Sequence, residues 1–174
     1  MSASTAIRPE TALDYRAIFD LNVSAFGREK EAKLVEDLRR SGAFVPELSL
    51  VAQQDGKIVG YILFTKIEFV EHREHRGLAI GPVAVAPTMQ KQGIGSLLIR
   101  EGLKRANELG FDSVLLLGSP AYYPRFGFKL ASEWNITTAY NAPGETFALE
   151  LHDHALQGIS GVAQYAKEFA LNDC

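Results

Sequence analysis

The stretch VAVAPTMQKQGIGSLLI, residues 83–99, constrains the fold more than any other segment. An apolar, β-branched run reaches Pro87, crosses a polar patch, and meets Gly93 and Gly95 before a Leu-rich run. From Ile94, the apolar residues Leu97, Leu98, Leu103, Ala106 and Leu109 mark one predicted helix face. Arg100, Glu101, Lys104, Arg105 and Glu108 mark the other. Gly110 is placed to end that helix, and FDSVLLLG reads as a buried strand. Strand, glycine turn, helix and strand imply a right-handed crossover between parallel neighbours.

Upstream, Leu13, Ile18, Leu21 and Phe26 recur at helical spacing, as do Leu34, Val35 and Leu38, which predicts two helices around a turn at Gly27. LSLVAQQ and KIVGYILFTKIEFV flank Asp55-Gly56, a hairpin signature. The charged VEHREHRG reads as a loop. In the following LAIGPVAVA, Gly81-Pro82 interrupts an apolar strand; Pro has no N–H to donate, so a bulge or an end of pairing is expected there. TFALEL is a further strand, and no internal repeat or linker is visible.

A chain of 174 residues fits one domain, 1–174. The net charge of −3 comes with scattered basic residues, so no nucleic-acid partner is expected. The start, MSASTAIRPE, lacks a signal pattern and no segment is apolar enough to span a bilayer, so the expectation is a cytoplasmic protein without a membrane partner. The lone cysteine, Cys174, cannot form an intrachain disulfide and reads as a chain tail rather than a catalytic thiol.

A strand followed by glycines and a helix commonly binds phosphate, because the first N–H groups of the helix have no intrahelical partner and the helix dipole favours an anion. The dinucleotide fingerprint requires glycine where Leu98 stands, and the P-loop requires G-K-[ST] where Gly95-Ser96-Leu97 stands. What remains is Gln90-x-x-Gly93-x-Gly95, with Lys91 as added charge. The glycines allow close approach of the backbone to a pyrophosphate, and equally allow a tight turn with no ligand.

With Gln90 to Gly95 matching Q/R-x-x-G-x-G/A, and AYYPRFGF matching a later Y-x-x-x-G-F element, the sequence resembles the GNAT superfamily of acyl-CoA-dependent N-acetyltransferases. GSPAYYPRFGF and the ending ALELHDHALQGISG resemble its YhbS-type bacterial subgroup. The resemblance covers most of residues 5–150. It implies a mixed α/β (α+β) fold, with a mostly antiparallel central sheet, flanking helices, and fourth and fifth strands splayed to admit pantetheine. It implies acetyl-CoA as co-substrate, with pyrophosphate on the backbone of Gln90, Lys91, Gln92, Gly93, Ile94, Gly95 and Ser96. Pantetheine is then expected along Val83, Ala84 and Val85, with Ser119 in the cofactor set. The same resemblance makes Tyr123 the general acid that protonates the leaving thiolate; a phenol of pKa about 10 keeps its proton at neutral pH.

The implied activity is acetyl transfer to a primary amine of a small molecule or amino-acid-like acceptor. A protein amine, and a non-catalytic acyl-CoA binding module, are the alternatives; a homodimer is allowed. Tyr123 packed with Phe126 and Phe128 as ordinary core is the competing reading of that residue, and Tyr122 is the weaker match. Glu68, Glu71, His72 and His75 read as solvated loop charges, and none is assigned as base. The pairs His72-x-x-His75 and His152-x-His154 lack the rest of a zinc set, so no metal is expected. Residues 158–161, GISG, do not make a G-x-S-x-G elbow. Trp134 reads as core or rim packing, or as a cap on an acceptor pocket. Acceptor contacts are expected from the turn at 26–31, the loop at 71–76 and the segment after Phe128.

Overall fold

The computed structural model describes residues 3–171, so the expectation for Cys174 lies outside the described residues. In chain order the elements are β1 (Ala6–Pro9), α1 (Tyr15–Phe26), α2 (Lys30–Arg39), β2 (Phe44–Gln54), β3 (Lys57–Phe69) and β4 (Gly77–Val85). They continue with α3 (Ile94–Glu108), β5 (Ser113–Leu117), β6 (Lys129–Leu130), β7 (Ile136–Thr137), β8 (Thr146–Glu150), β9 (Gly161–Gln164) and α4 (Lys167–Leu171). The strands run β1-β2-β3-β4-β5-β8-β6, with β9 paired to β3 and β7 to β9. This nine-stranded sheet is mostly antiparallel; β4–β5 and β7–β9 are its parallel pairs.

Asp55 and Gly56 both have positive φ, 49° and 76°, as the tightest hairpin turn requires, and Gln54 pairs with Lys57 across it. Alternation then sorts the residues of β3 to two faces. Ile62 and Phe64 join Leu98, Ile99 and Ala106 of α3, while Tyr61 and Leu63 join Ile18 and Leu21 of α1 and Leu38 of α2. Tyr61 is fully buried, and its hydroxyl shares a 2.7 Å hydrogen bond with Ser49 Oγ, which removes the penalty of a buried unpaired group. A third cluster gathers Ile67, Phe69, Ala79, Leu115 and Leu156 farther along the sheet.

Two predicted helix faces hold at their centres, Ile18 and Leu21 on α1 and Ile94, Leu98 and Ala106 on α3, and differ at their edges. Leu97 and Leu109 are 47% and 38% exposed, and Ile99 and Gly102 are buried in their place. A Cβ at Gly60 would stand 2.8 Å from Ile94 Cγ2 and 2.9 Å from Leu98 Cδ1, so this glycine admits close packing of α3, which buries residues 94, 98, 99, 102 and 106. Leu13 precedes α1 in a short turn and is 95% exposed, while Asn22 takes a buried position on that helix.

The expected interruption at Gly81-Pro82 is present on both edges of β4. Toward β5, pairing runs Gly77 with Ser113, Leu78 with Val114 and Ala79 with Leu115, and ends there. Toward β3, Phe64 pairs with Ile80 but Ile62 pairs with Val83, so β4 carries one extra residue, a bulge at Gly81-Pro82. Beyond Ala79, β4 stays with β3 while β5 continues with β8 through Leu117 and Thr146. The parallel pair therefore splays open toward the end from which α3 departs.

Candidate active site

The chain between β4 and α3 is shaped residue by residue. Residues Pro87–Met89 form a 3-10 turn, and the Gln90 side-chain amide donates 3.1 Å to the Val85 carbonyl, tying the turn to the end of the strand. Lys91 and Gly93 take left-handed conformations at φ 62° and 84°, with Gly93 as the N-cap of α3. No side chain caps this helix, and the first intrahelical bond recorded there runs from Leu97 N–H to Gly93 O at 3.0 Å. The preceding N–H groups, with the positive end of the helix dipole, face a cleft of about 430 Å³.

Seven of the predicted site residues line that cleft: Val85, Gln90, Lys91, Gly93, Ile94, Gly95 and Ser96. Met89, Tyr122 and Arg125 complete it. The sequence reading did not select Arg125, although its place in YYPRF beside an expected anion site was a readable signal. Its guanidinium lies 4.5 Å from the Tyr122 ring centroid and donates 2.9 Å to the Tyr122 carbonyl, so a second cation besides Lys91 is held at the cleft. Tyr122, the weaker match of the two tyrosines, brings its hydroxyl to 3.2 Å from Ser96 Oγ.

Five predicted residues stand outside the lining: Gln92, Val83, Ala84, Ser119 and the predicted general acid Tyr123. Gln92 turns its amide back to the Thr88 carbonyl, 3.4 Å away. Val83 packs toward α3 and Ala84 is buried toward α1, so these two offer backbone rather than side chain, beyond the last β4–β5 pair. Ser119 builds the aromatic turn: its hydroxyl accepts from Ala121 N–H at 3.2 Å, and its carbonyl from Tyr122 and Tyr123 N–H at 3.1 and 3.2 Å.

Tyr123 opens the 3-10 turn Tyr123–Phe126, just after β5. Its ring lies over Gly118 so closely that a Cβ there would sit 2.3 Å from Cε2. Tyr122 and Phe128 meet it edge-on at 5.1 and 6.1 Å between centroids, so the packing partly matches the competing core reading. Burial, and secondarily Tyr122, pushes the Tyr123 phenol above its ordinary value, so it holds its proton at neutral pH.

One expectation is overturned. His75 is not a solvated loop charge: it is 8% exposed, stacks edge-on against Phe69 at 4.8 Å, and shares a 2.7 Å hydrogen bond from Nε2 with Ser113 Oγ. The loop at 71–76, expected among the acceptor contacts, lies far from the cleft at the start of α3. It enters the N-terminal end of the nine-residue β4, roughly 26 Å from Val85 at about 3.3 Å per residue. Asp112 joins the two ends of this distant cluster, accepting from Arg76 N–H at 2.7 Å and meeting His152 Nε2 at 2.9 Å. Trp134 is half-buried against the third cluster. Among the described residues, no group of three or more His, Cys, Asp or Glu is placed to hold a metal ion, and no helix is long and apolar enough to cross a membrane.

An open parallel pair, a bulged fourth strand and a glycine-lined helix start define the fold of an N-acetyltransferase. The family model of the acetyltransferase (GNAT) family matches residues 15–128, and the chain belongs to that family. It is 36% identical over 167 residues to the uncharacterized N-acetyltransferase YhbS of Escherichia coli K12, covering 94% of this chain and 97% of that one. It is 38% identical over 134 residues to YjhQ of the same strain, another uncharacterized N-acetyltransferase, covering 76% and 74%. The crystal structure of E. coli YhbS in complex with CoA superposes with a TM-score of 0.91 at 33% identity, over 98% of this chain and 94% of that one. A Brucella melitensis GNAT family acetyltransferase in complex with acetyl-CoA gives a TM-score of 0.79 at 31% identity, over 97% and 99%.

Proposed function

We propose that this protein transfers the acetyl group of acetyl-CoA to a primary amine of a small molecule by direct attack. The observation that carries this reading is the coincidence of two features at one end of β4: pairing with β5 stops at Ala79, and an uncapped, glycine-lined helix start opens a cleft beside Val85. The similarity to acetyltransferases crystallised with CoA and acetyl-CoA supports the same ligand here.

In this reading the N–H groups of residues 93–96 receive the pyrophosphate, Lys91 and Arg125 supply positive charge, and Gln90 holds the turn against Val85. The unpaired backbone of Val83, Ala84 and Val85 receives pantetheine, as a strand edge receives another extended chain. Ser119 contributes by shaping the turn that carries Tyr122 and Tyr123. The neutral amine attacks the thioester carbon, a tetrahedral species forms, and the carbon–sulfur bond breaks. The Tyr123 hydroxyl gives its proton to the departing thiolate, and the proton the amine releases to solvent is balanced by one that solvent returns to the Tyr123 phenolate. Alignment of two bound reactants supplies much of the acceleration, since well-oriented pairs gain ~7–11 kcal/mol, so a site with few chemical side chains suffices.

The test has two stages. Acetyl-CoA at 100 times its Kd should stabilise the fold by about 2.7 kcal/mol, seen as a rise in Tm. Tyr123→Phe should then retain that rise while free-thiol release with amine acceptors drops about 100-fold, the low end for losing a general acid. No rise in Tm defeats the ligand assignment; undiminished thiol release in Tyr123→Phe defeats only the role of Tyr123.

A further inference from the structure

A second cavity, of about 290 Å³, lies on the face of the sheet opposite α3 and is lined by residues of 132–146. One strand pair links its wall to the turn that carries Tyr123. Thr146 on its wall is paired with Leu117, the last residue of β5, and the next residue, Gly118, donates its N–H to Glu145 O at 2.9 Å. Gly118 is the residue over which the Tyr123 ring lies.

The lining combines apolar Ile136, Ala142 and Pro143 with neutral polar side chains. Ser132, Asn135, Thr137 and Asn141 present hydroxyl and amide groups that make no side-chain hydrogen bond among the described residues. No lining residue is charged. Asn135 and Asn141 adopt left-handed backbone, at φ 55° and 47°, which short polar side chains tolerate best. Beside the cavity, the Tyr140 ring, between lining residues Thr138 and Asn141, meets Tyr165 edge-on at 5.4 Å, and the buried Tyr165 hydroxyl has no partner. Tyr165 in turn meets Phe169 at 5.3 Å, and Phe169 Cζ lies 3.7 Å from the Cβ position of Gly81 in the β4 bulge. The cavity wall is therefore connected by aromatic packing to the strand along which pantetheine is placed.

We infer that this cavity holds the body of the acceptor, and that the acceptor is a small amine whose remaining groups are uncharged hydroxyls or amides. The assignment rests on the acetyl-transfer reading. A carboxylate or second ammonium brought into the cavity meets no counter-charge there, which disfavours acidic amino acids and polyamines against neutral acceptors. Hydroxyl and amide substituents exchange water for Ser132, Thr137, Asn135 and Asn141. A volume near 300 Å³, at the low end of small-molecule sites, suits a small metabolite.

The experiment compares free-thiol release from acetyl-CoA with 2-amino-1,3-propanediol, spermidine, glutamate and a tetrapeptide with a free N-terminus, after acetyl-CoA binding has been verified by thermal shift. The aminodiol should exceed each of the others at least 10-fold in kcat/KM. Asn141→Asp, nearly isosteric and compatible with left-handed backbone, should raise the spermidine-to-aminodiol ratio at least 10-fold with acetyl-CoA affinity unchanged. Ala142→Phe should raise the KM for the aminodiol, again without altering acetyl-CoA affinity. With acetyl-CoA bound normally, the assignment is overturned by no turnover of the aminodiol, by equal or better use of spermidine, glutamate or peptide, or by an acceptor ratio that Asn141→Asp leaves unmoved. Absence of acetyl-CoA binding overturns the acetyl-transfer reading itself.

Discussion

The Tyr122 hydroxyl lies 3.2 Å from Ser96 Oγ, joining the aromatic turn after β5 to the first turn of α3. Through this contact two segments distant in sequence meet at the cleft, and adjacent tyrosines take different places. Tyr122 faces the helix start with Arg125 stacked on its ring, while Tyr123 packs over Gly118 at the open end of β5.

This division predicts different kinetic signatures. Tyr122→Phe removes one hydrogen bond of about 1 kcal/mol, so the Kd for acetyl-CoA should rise about fivefold with kcat little changed. Tyr123→Phe should lower kcat and leave that Kd within about twofold, as expected of a group acting only as the thiolate departs. Titration calorimetry for binding and thiol release for turnover separate the two; matching losses in both variants would dissolve the distinction.

Gly93 and Gly95 fill different needs. A Cβ on Gly93 meets nothing within 4 Å, but its φ of 84° strains any other residue, so Gly93→Ala should lose about 1 kcal/mol of stability. A Cβ on Gly95 meets only Tyr122 Oη at 3.6 Å and Val85 Cγ2 at 3.8 Å, ordinary contacts, so Gly95→Ala should fold normally. Gly95→Leu points a larger side chain toward the cleft and should abolish the acetyl-CoA thermal shift while the far-ultraviolet circular dichroism stays unchanged. A retained shift in Gly95→Leu would move the pyrophosphate away from residues 93–96.

The cleft was legible in sequence because its parts obey local rules: glycines at a helix start, a strand before it, and Gly-Pro where pairing must stop. What lay outside those rules was set by tertiary contact. The four-residue β1 contains Pro9 and is held only as an edge strand against β2, so it carries no readable pattern of its own. The two-residue strands β6 and β7 likewise exist through their partners β8 and β9. Leu97 read as core because spacing alone does not fix the edge of an apolar face; in the fold Ile94 and Leu98 meet Gly60 and Leu97 turns outward. His75 read as loop because VEHREHRG is charged throughout, and only the return of β5 beside it supplies Ser113. Arg125 was overlooked because its role depends on the turn that folds it over Tyr122.

Gly102 offers a test of packing in which the usual sign is reversed. Gly→Ala inside a helix ordinarily stabilises by up to about 1 kcal/mol. Here a Cβ would stand 2.2 Å from Phe64 Cε2 and 2.5 Å from Cζ, and Phe64 is fully buried in the core, so the ring has little room to withdraw. Gly102→Ala should therefore destabilise by about 1–3 kcal/mol, the range for overpacking a core. Urea unfolding of the variant beside the parent protein measures this directly, and a stabilised variant would show that Phe64 shifts freely.

The cluster at the far end of β4 predicts the response to acid. Burial holds His75 below the ordinary histidine value, against the opposing pull of the Asp112 carboxylate, so the folded protein keeps the ring neutral. The unfolded chain takes up this proton near the ordinary value of about 6.5, whereas the folded chain does so only at lower pH. The contribution is thus fully present above about pH 6.5 and is lost as pH falls through the lowered value of the folded state. His152 has the opposite sign: Asp112 holds its charged form, so its contribution is present at low pH and fades as pH rises through its raised value. His152 is solvent-exposed and its pairing is screened, so the buried ring dominates. Urea midpoints should fall between pH 7.5 and 5.5 in the parent protein. His75→Gln, which keeps a polar group near Ser113 without a titrating ring, should show a smaller fall over the same interval. An equal fall in both proteins would assign the acid sensitivity to other groups.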